Sequence, residues 1–157
     1  MKGNAKVIVA LNEALSEELM AINQYFIHSE MCENWGYEEL SKYLRKLAIV
    51  EMKHAEKLIE RILFVDGAPS LLGPKELNVG KNVKEQLQND LELELGAVKM
   101  YNDFVKLSRE IGDNASSELL RDILEDEEDH VDWVEAQLGM IQEITYEQYL
   151  SRQMKKD

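Results

Sequence analysis

Two short stretches of the chain share one spacing: Glu51-Met52-Lys53-His54 and, 76 residues later, Glu127-Glu128-Asp129-His130. Residues three apart lie on the same face of an α-helix, so each stretch presents a carboxylate beside an imidazole. The same offset superimposes further residues of the two halves, among them Glu18 on Glu94, Tyr25 on Tyr101 and Leu44 on Leu120. We therefore interpret the chain as two related helical hairpins.

Apolar residues recur at helical spacing through four long segments and a short one. They predict helices over about 4–35, 38–66, 82–111, 114–139 and 145–154, with a break at Gly139. The connection over 67–81 is longer than bundle loops usually are and, at ~3.3 Å per residue, can cross the length of the bundle. The expected fold is all-α: one four-helix bundle domain over residues 1–157, with a long crossover between helices 2 and 3 and a short fifth helix.

Acids and histidines interrupt the apolar stripe that each long helix turns toward the bundle interior. Residue counts from the two hairpin turns place these side chains at a common level near mid-helix. Four carboxylates buried together would be prohibitively costly unless they were protonated or neutralised by cations, which a pair of metal ions would do. The predicted metal-binding and catalytic residues are Glu18, Glu51, His54, Glu94, Glu127 and His130.

The types of these ligands indicate the metal. Mixed oxygen and nitrogen donors suit iron or manganese, whereas structural zinc usually takes thiolates or more imidazoles, and we therefore expect a di-iron site (Fe2+/Fe3+). Glu51 and Glu127 can bridge the two ions, with Glu18 and Glu94 as terminal ligands.

Composition excludes several other classes. The formal net charge of −13 disfavours nucleic acid as a partner, because binding to phosphates needs a basic surface. Cys32 is the only cysteine, so neither an intramolecular disulfide nor a site built from thiolate pairs is possible. No segment approaches the ~20 apolar residues of a membrane span, and we expect a cytoplasmic protein with no membrane partner.

The chain resembles the bacterioferritins along essentially its whole length. Five stretches carry the resemblance: Met1-Lys2-Gly3, Ala21-Ile22-Asn23-Gln24-Tyr25, Glu51-Met52-Lys53-His54-Ala55, Ile59-Glu60-Arg61-Ile62-Leu63, and 130–133. The resemblance implies a ferritin-like bundle in a 24-subunit homo-oligomeric shell built from dimers. It also implies a di-iron ferroxidase centre that oxidises Fe(II) with oxygen or peroxide, and a ferric mineral stored in the cavity.

The resemblance further implies a haem group of the b type. Met52, one residue past Glu51, is rotated ~100° away from the metal stripe and is expected to point outward. Similarity to bacterioferritins makes it the axial haem ligand, one from each of two subunits across a two-fold axis. The haem would serve electron transfer in iron release, with a ferredoxin-type reductant as a possible partner.

For several other residues near the predicted site, the sequence is compatible with either a functional or a purely structural role. Tyr25 and Tyr101 either hydrogen bond to the ligands or donate electrons, or they are core aromatics. Trp133 is expected to pack rather than to transfer electrons, and His28 is expected at the surface or at an interface. Some bacterioferritins have an extra iron site on the inner surface, formed by a His and an Asp, and this chain carries Lys46 and Val50 there.

Two other hypotheses stay open on the sequence alone. The chain could be a stand-alone di-iron oxidase or peroxidase resembling rubrerythrin without its rubredoxin part, which predicts a small oligomer without haem. It could also be a structural bundle whose inward acids are accidental or bind zinc inertly.

Overall fold

The computed structural model describes residues 1–70 and 76–156 and contains helices but no strands in those ranges. The helices are α1 (Ala5–Asn34), α2 (Glu38–Phe64), α3 (Val83–Ile111), α4 (Asn114–Ile144) and α5 (Tyr146–Ser151). α1 packs mainly on α2 and α3 on α4, so the two predicted hairpins are confirmed. Part of the predicted crossover, residues 71–75, lies outside the described residues.

Contacts between the hairpins establish the direction of the crossover. Gln24 and His28 of α1 contact Asp90 of α3, whereas Cys32, further along α1, contacts Gln86, further back along α3. α1 and α3 are therefore antiparallel, and since α1 is also antiparallel to α2, helices α2 and α3 run in parallel. This is the topology expected of a ferritin-like four-helix bundle with a long crossover.

Most helix ends coincide with local stop and start chemistry. Asn4, Asn82 and Asp113 cap α1, α3 and α4 by accepting hydrogen bonds from backbone N–H groups of the first turn. Gly112 ends α3 at φ 91°, in the left-handed region that a residue without a Cβ adopts at little cost.

The predicted break at Gly139 is wrong. α4 continues through this exposed residue to Ile144, and α5 spans Tyr146–Ser151 rather than 145–154. A single glycine inside a helix costs only about 1 kcal/mol relative to alanine, and burial of Gln137 and Ile141 on either side keeps the helix packed. α2 likewise ends at Phe64 instead of 66.

Among the described residues, the core consists of two apolar clusters with a polar layer between them. One contains Leu11 and Leu15 of α1 with Leu58 and Ile62 of α2, and the other begins at Ala21 of α1. In every long helix the predicted metal-binding residues fall in the gap between the clusters. Apolar packing above and below thus fixes the height of the polar layer.

His28 is fully buried, which contradicts the expected surface or interface position. Its Nδ1 lies 3.0 Å from Oδ1 of Asp90, and its Nε2 accepts a hydrogen bond of 3.0 Å from the backbone N–H of Gly80. Both partners are more than 50 residues away in sequence, so the spacing around His28 gave no sign of them. The histidine connects the crossover to the bundle.

Within the described residues, no helix has the length and apolarity that crossing a bilayer requires.

Candidate metal centre

All six predicted ligands lie in the polar layer, and none is more than 6% exposed. α1 and α3 each contribute one carboxylate, and α2 and α4 each contribute a carboxylate and an imidazole from consecutive turns. The predicted Glu-x-x-His geometry is therefore present in both halves of the chain.

The six side chains form two overlapping groups of four. Glu18, Glu51, His54 and Glu127 make up one group, and Glu51, Glu94, Glu127 and His130 make up the other. Within each group, one ligand atom per residue lies within 4.8 Å of all the others. Glu51 and Glu127 belong to both groups, which is the arrangement of two ion positions that share two carboxylates.

Each histidine lies closer to the glutamate of the opposite hairpin than to that of its own helix. His54 Nδ1 is 3.2 Å from Glu127 and 3.7 Å from Glu51, while His130 Nδ1 is 3.1 Å from Glu51 and 3.9 Å from Glu127. The two hairpins thus interlock at the site. Each group of four takes residues from both.

Several buried atoms of the cluster lack a hydrogen-bond partner among the described residues. They are Oε2 of Glu18, Oε1 of Glu51, Nδ1 of His54, Oε2 of Glu94 and Oε1 of Glu127. Leaving such atoms unpaired costs about 1–3 kcal/mol each, and more when they are charged. Lone pairs that converge without donors form a set of oxygen and nitrogen ligands that fits two divalent cations.

The charge of the metal-free cluster is reduced by proton uptake. Burial, together with the neighbouring carboxylates, raises the pKa of Glu51 and of Glu127 well above the usual value. Burial by itself lowers the pKa of His54, but the neighbouring carboxylates of Glu127 and Glu18 favour the charged imidazolium and raise the pKa to about 10. Protons on these groups therefore compete with divalent cations for the same lone pairs.

Two tyrosines donate hydrogen bonds to Glu18 and Glu94, the predicted terminal ligands, and each tyrosine lies on the hairpin opposite its glutamate. Tyr25 donates a hydrogen bond of 2.5 Å to Oε1 of Glu94, and Tyr101 donates one of 2.5 Å to Oε1 of Glu18. Both hydroxyls are fully buried, and burial and nearby carboxylates raise the pKa of each well above 10. Of the two sequence-based interpretations, the hydrogen-bonding one describes their position.

Asp126 is a polar residue of the site that sequence reasoning missed. Its Oδ2 lies 2.7 Å from Nε2 of His54, on the outer side of the imidazole. Its position directly before Glu127 gave no signal, because half of its side chain is exposed and its partner is 72 residues away.

Met52 points away from the metal cluster, as expected, and is 51% exposed. Ile49, one turn earlier on the same face of α2, is 44% exposed, and Phe26 of α1 is 50% exposed. The Arg45 guanidinium, on the same face of α2, lies 5.8 Å from the Phe26 ring centroid. We refer to the exposed apolar side chains of Phe26, Ile49 and Met52 as the outer apolar face.

Of the remaining residues singled out in the sequence, Trp133 packs against the apolar cluster that begins at Ala21. Trp133 stacks on Tyr43 with ring centroids 4.1 Å apart, consistent with the expected packing role. Lys46 lies 5.5 Å from the centroid of that tyrosine, and Val50 is half-buried.

The bundle with its parallel α2 and α3 and its central carboxylate–histidine layer defines the class of ferritin-like proteins. A family model for the ferritin-like domain matches residues 8–144. A similar protein is the bacterioferritin of Brucella melitensis, which is 44% identical over 95% of this chain and 92% of the relative. The bacterioferritin of Mycobacterium leprae is 41% identical over 95% of this chain and 94% of the relative. The bacterioferritin of Rhodobacter capsulatus is 42% identical over 89% of this chain and 87% of its own length. The chain belongs to the bacterioferritin family.

Proposed function

We propose that the protein stores iron and that its buried cluster is a di-iron ferroxidase centre. The observation that carries this proposal is the pair of overlapping four-residue groups that share Glu51 and Glu127. The bacterioferritin relatives support it, since they match nearly the whole chain.

The iron is the substrate of this site. Two Fe(II) ions would supply two electrons, which reduce oxygen to hydrogen peroxide or hydrogen peroxide to water. Glu51 and Glu127 would bridge the ions, Glu18 and His54 would complete one position, and Glu94 and His130 would complete the other. Carboxylates stabilise the higher charge of Fe(III), and the acidic surface attracts Fe(II) from solution.

The protein's own residues prepare the site for this exchange. The hydroxyls of Tyr25 and Tyr101 each donate a hydrogen bond to one oxygen of Glu94 and Glu18, so the second oxygen of each carboxylate has no hydrogen bond among the described residues and is available to an ion. Protons held by the metal-free cluster leave when cations bind. The two apolar clusters exclude bulk water on both sides.

Anaerobic titration with Fe(II) tests the site. The wild-type protein is expected to bind two irons per chain, Glu18→Gln to lose one of them, and Glu127→Gln to impair both. Glu128→Gln is the matched control, because this glutamate is adjacent to Glu127 but exposed. Absence of Fe(II) binding by the wild-type protein, or equal binding by Glu127→Gln, would refute the assignment.

A second readout of the same titration is thermal unfolding. A ligand at a free concentration of 100 times its Kd stabilises the native state by about 2.7 kcal/mol. For a chain of this size that corresponds to a rise in Tm of roughly 5–11 °C. The rise is expected for wild type and Glu128→Gln and should be lost in Glu127→Gln.

The proposal includes haem at the outer apolar face, with Met52 as the axial ligand between two subunits. An exposed methionine on an apolar face is suited to this role, because a thioether ligates haem iron and a two-fold axis supplies two of them. When bound, the haem would carry electrons inward to reduce the stored mineral. Reconstitution with haem b should give the absorption spectrum of bis-methionine ligation, which Met52→Leu abolishes and Met140→Leu, a substitution of another exposed methionine, preserves.

The storage proposal requires a hollow assembly in the cytoplasm, for which we propose 24 subunits built from dimers. Light scattering should give a mass near twenty-four times 18.1 kDa. A dimer at physiological salt would favour instead the stand-alone oxidase resembling rubrerythrin, and iron loading beyond two ions per chain would then also fail.

A further inference from the structure

The two halves of the proposed metal centre differ in the hydrogen-bond partner of the histidine nitrogen that faces away from the glutamates. His54 has a carboxylate partner for its outer nitrogen, at 2.7 Å from Oδ2 of Asp126. His130, within residues 1–70 and 76–156, makes all its polar contacts through Nδ1, which faces the glutamates. The offset of 76 that relates His54 to His130 also relates Asp126 to Val50, and a valine cannot accept a hydrogen bond.

We propose that Asp126 is a positioning residue that makes the two metal positions unequal, so that the ion at His54 binds more tightly than the ion at His130. The proposal rests on the proposed function, because it concerns the same di-iron site. It adds a residue outside the ligand set and an order of binding that the six ligands by themselves do not specify.

The hydrogen bond defines which imidazole nitrogen is available to a metal. A carboxylate only accepts hydrogen bonds, so the Nε2 atom of His54 carries the proton that is donated to Asp126. The lone pair of neutral His54 is then on Nδ1, the atom 3.2–3.7 Å from the carboxylate oxygens of Glu18, Glu51 and Glu127. Asp126 thus selects the tautomer that binds a metal and fixes the plane of the ring.

The metal position at His130 has no carboxylate at the place that corresponds to Asp126. Val50 is half-buried at the place related by the repeat to Asp126 and provides only apolar contact. His130 must therefore select the metal-binding tautomer and ring orientation without an outer acceptor from that position. The entropy lost when its ring is fixed reduces the affinity of the ion that it binds.

Titration of the full-length metal-free protein with Co(II) under anaerobic conditions tests the proposal, because this ion reports its coordination through visible absorption and does not turn over. Two steps of different affinity are expected. Glu18→Gln should remove the tighter step, because Glu18 belongs only to the group of His54, and Glu94→Gln should remove the weaker step.

Asp126→Ala is expected to weaken the tighter step by about 10–100-fold and to leave the weaker step unchanged. Asp126→Asn should largely rescue it, because the amide oxygen still accepts from Nε2. Asp122→Asn, an exposed acid one turn earlier on α4, is the control and should bind like wild type. Val50→Asp should tighten the weaker step while two ions still bind.

The outcomes separate this proposal from the proposed function. Two equal steps in wild type, or loss of both steps to the same extent in Asp126→Ala, would overturn the positioning role while the di-iron site stands. No tightening in Val50→Asp would refute the part assigned to Val50. Failure of wild type to bind Co(II) or Fe(II) would refute the proposed function and this inference with it.

Discussion

Replacing His28 with leucine keeps much of the buried volume but removes a hydrogen-bond donor and an acceptor from the bundle interior. Wild-type His28 lies 3.0 Å from a carboxylate oxygen of Asp90 and accepts from the Gly80 N–H at 3.0 Å. In the variant, Asp90 retains the hydrogen bond from Gln24, and the Gly80 N–H has lost its acceptor on α1.

The expected loss of stability follows from these two groups. A buried donor or acceptor left without its partner costs about 1–3 kcal/mol, so two of them cost about 4 kcal/mol. For a chain of 157 residues this corresponds to a Tm lower by roughly 8–16 °C. Urea unfolding of metal-free protein at a fixed protein concentration measures the same difference.

The pH dependence gives a second check. Burial raises the pKa of Asp90, and the contacts with His28 lower it in part. Removal of His28 raises this pKa further, so ionised Asp90 destabilises the variant more than wild type. The deficit is therefore expected to be largest at neutral pH and to shrink as the pH falls through the raised pKa and Asp90 takes up a proton.

A double-mutant cycle would show whether the pair is the cause. His28→Leu combined with Asp90→Leu removes both buried partners, and the double variant should be less destabilised than the sum of the single variants by more than about 0.5 kcal/mol. His28→Gln, whose amide oxygen can accept from Gly80, should retain part of the stability. Additive losses, or a loss below about 1 kcal/mol in His28→Leu, would refute the reasoning.

Three further results are expected from other parts of the bundle. Asp113→Ala should lose about 1–2 kcal/mol in urea unfolding, because Asp113 caps α4 and pairs with Arg61 at 2.9 Å. Although burial alone would raise the pKa of Asp113, hydrogen bonds from Ser116 and the Arg61 charge lower it. Asp113→Asn keeps the helix cap but loses the charge, so it should lose less stability than Asp113→Ala. This loss of stability should be constant at neutral pH and disappear as the pH falls through the lowered pKa, where wild-type Asp113 also becomes neutral. Gly112→Ala should lose about 1–2 kcal/mol, since φ is 91° there, and a calorimetric Tm unchanged within 1 °C would contradict this. Burial raises the pKa of Tyr101 well above 10, so this tyrosine should ionise only when the protein unfolds at alkaline pH. Tyr101→Phe should therefore show a smaller rise in tyrosinate absorbance on alkaline unfolding than wild type does. Ionisation of Tyr101 in the folded protein would contradict the burial argument.

The positions of the long helices and the six residues of the buried polar layer were predictable from the sequence alone. Both are local or periodic properties: apolar spacing defines each helix face, and the Glu-x-x-His spacing places two ligands on consecutive turns. Residue counts from the two hairpin turns then placed Glu18 and Glu94 at the height of the other ligands. At Gly139 the sequence pattern predicts a helix stop, but burial of the residues on both sides outweighs the small helix penalty of a single glycine.

The contacts between residues of different helices were not predictable in this way. Each histidine lies nearest the opposite hairpin's glutamate, Tyr25 holds Glu94, and Asp126 reaches His54. These pairings depend on the rotation of each helix about its axis and on the distance between helices, which the packing of the whole core sets. Spacing along one helix contains neither quantity, and the partners in these contacts are 69 to 79 residues apart in sequence.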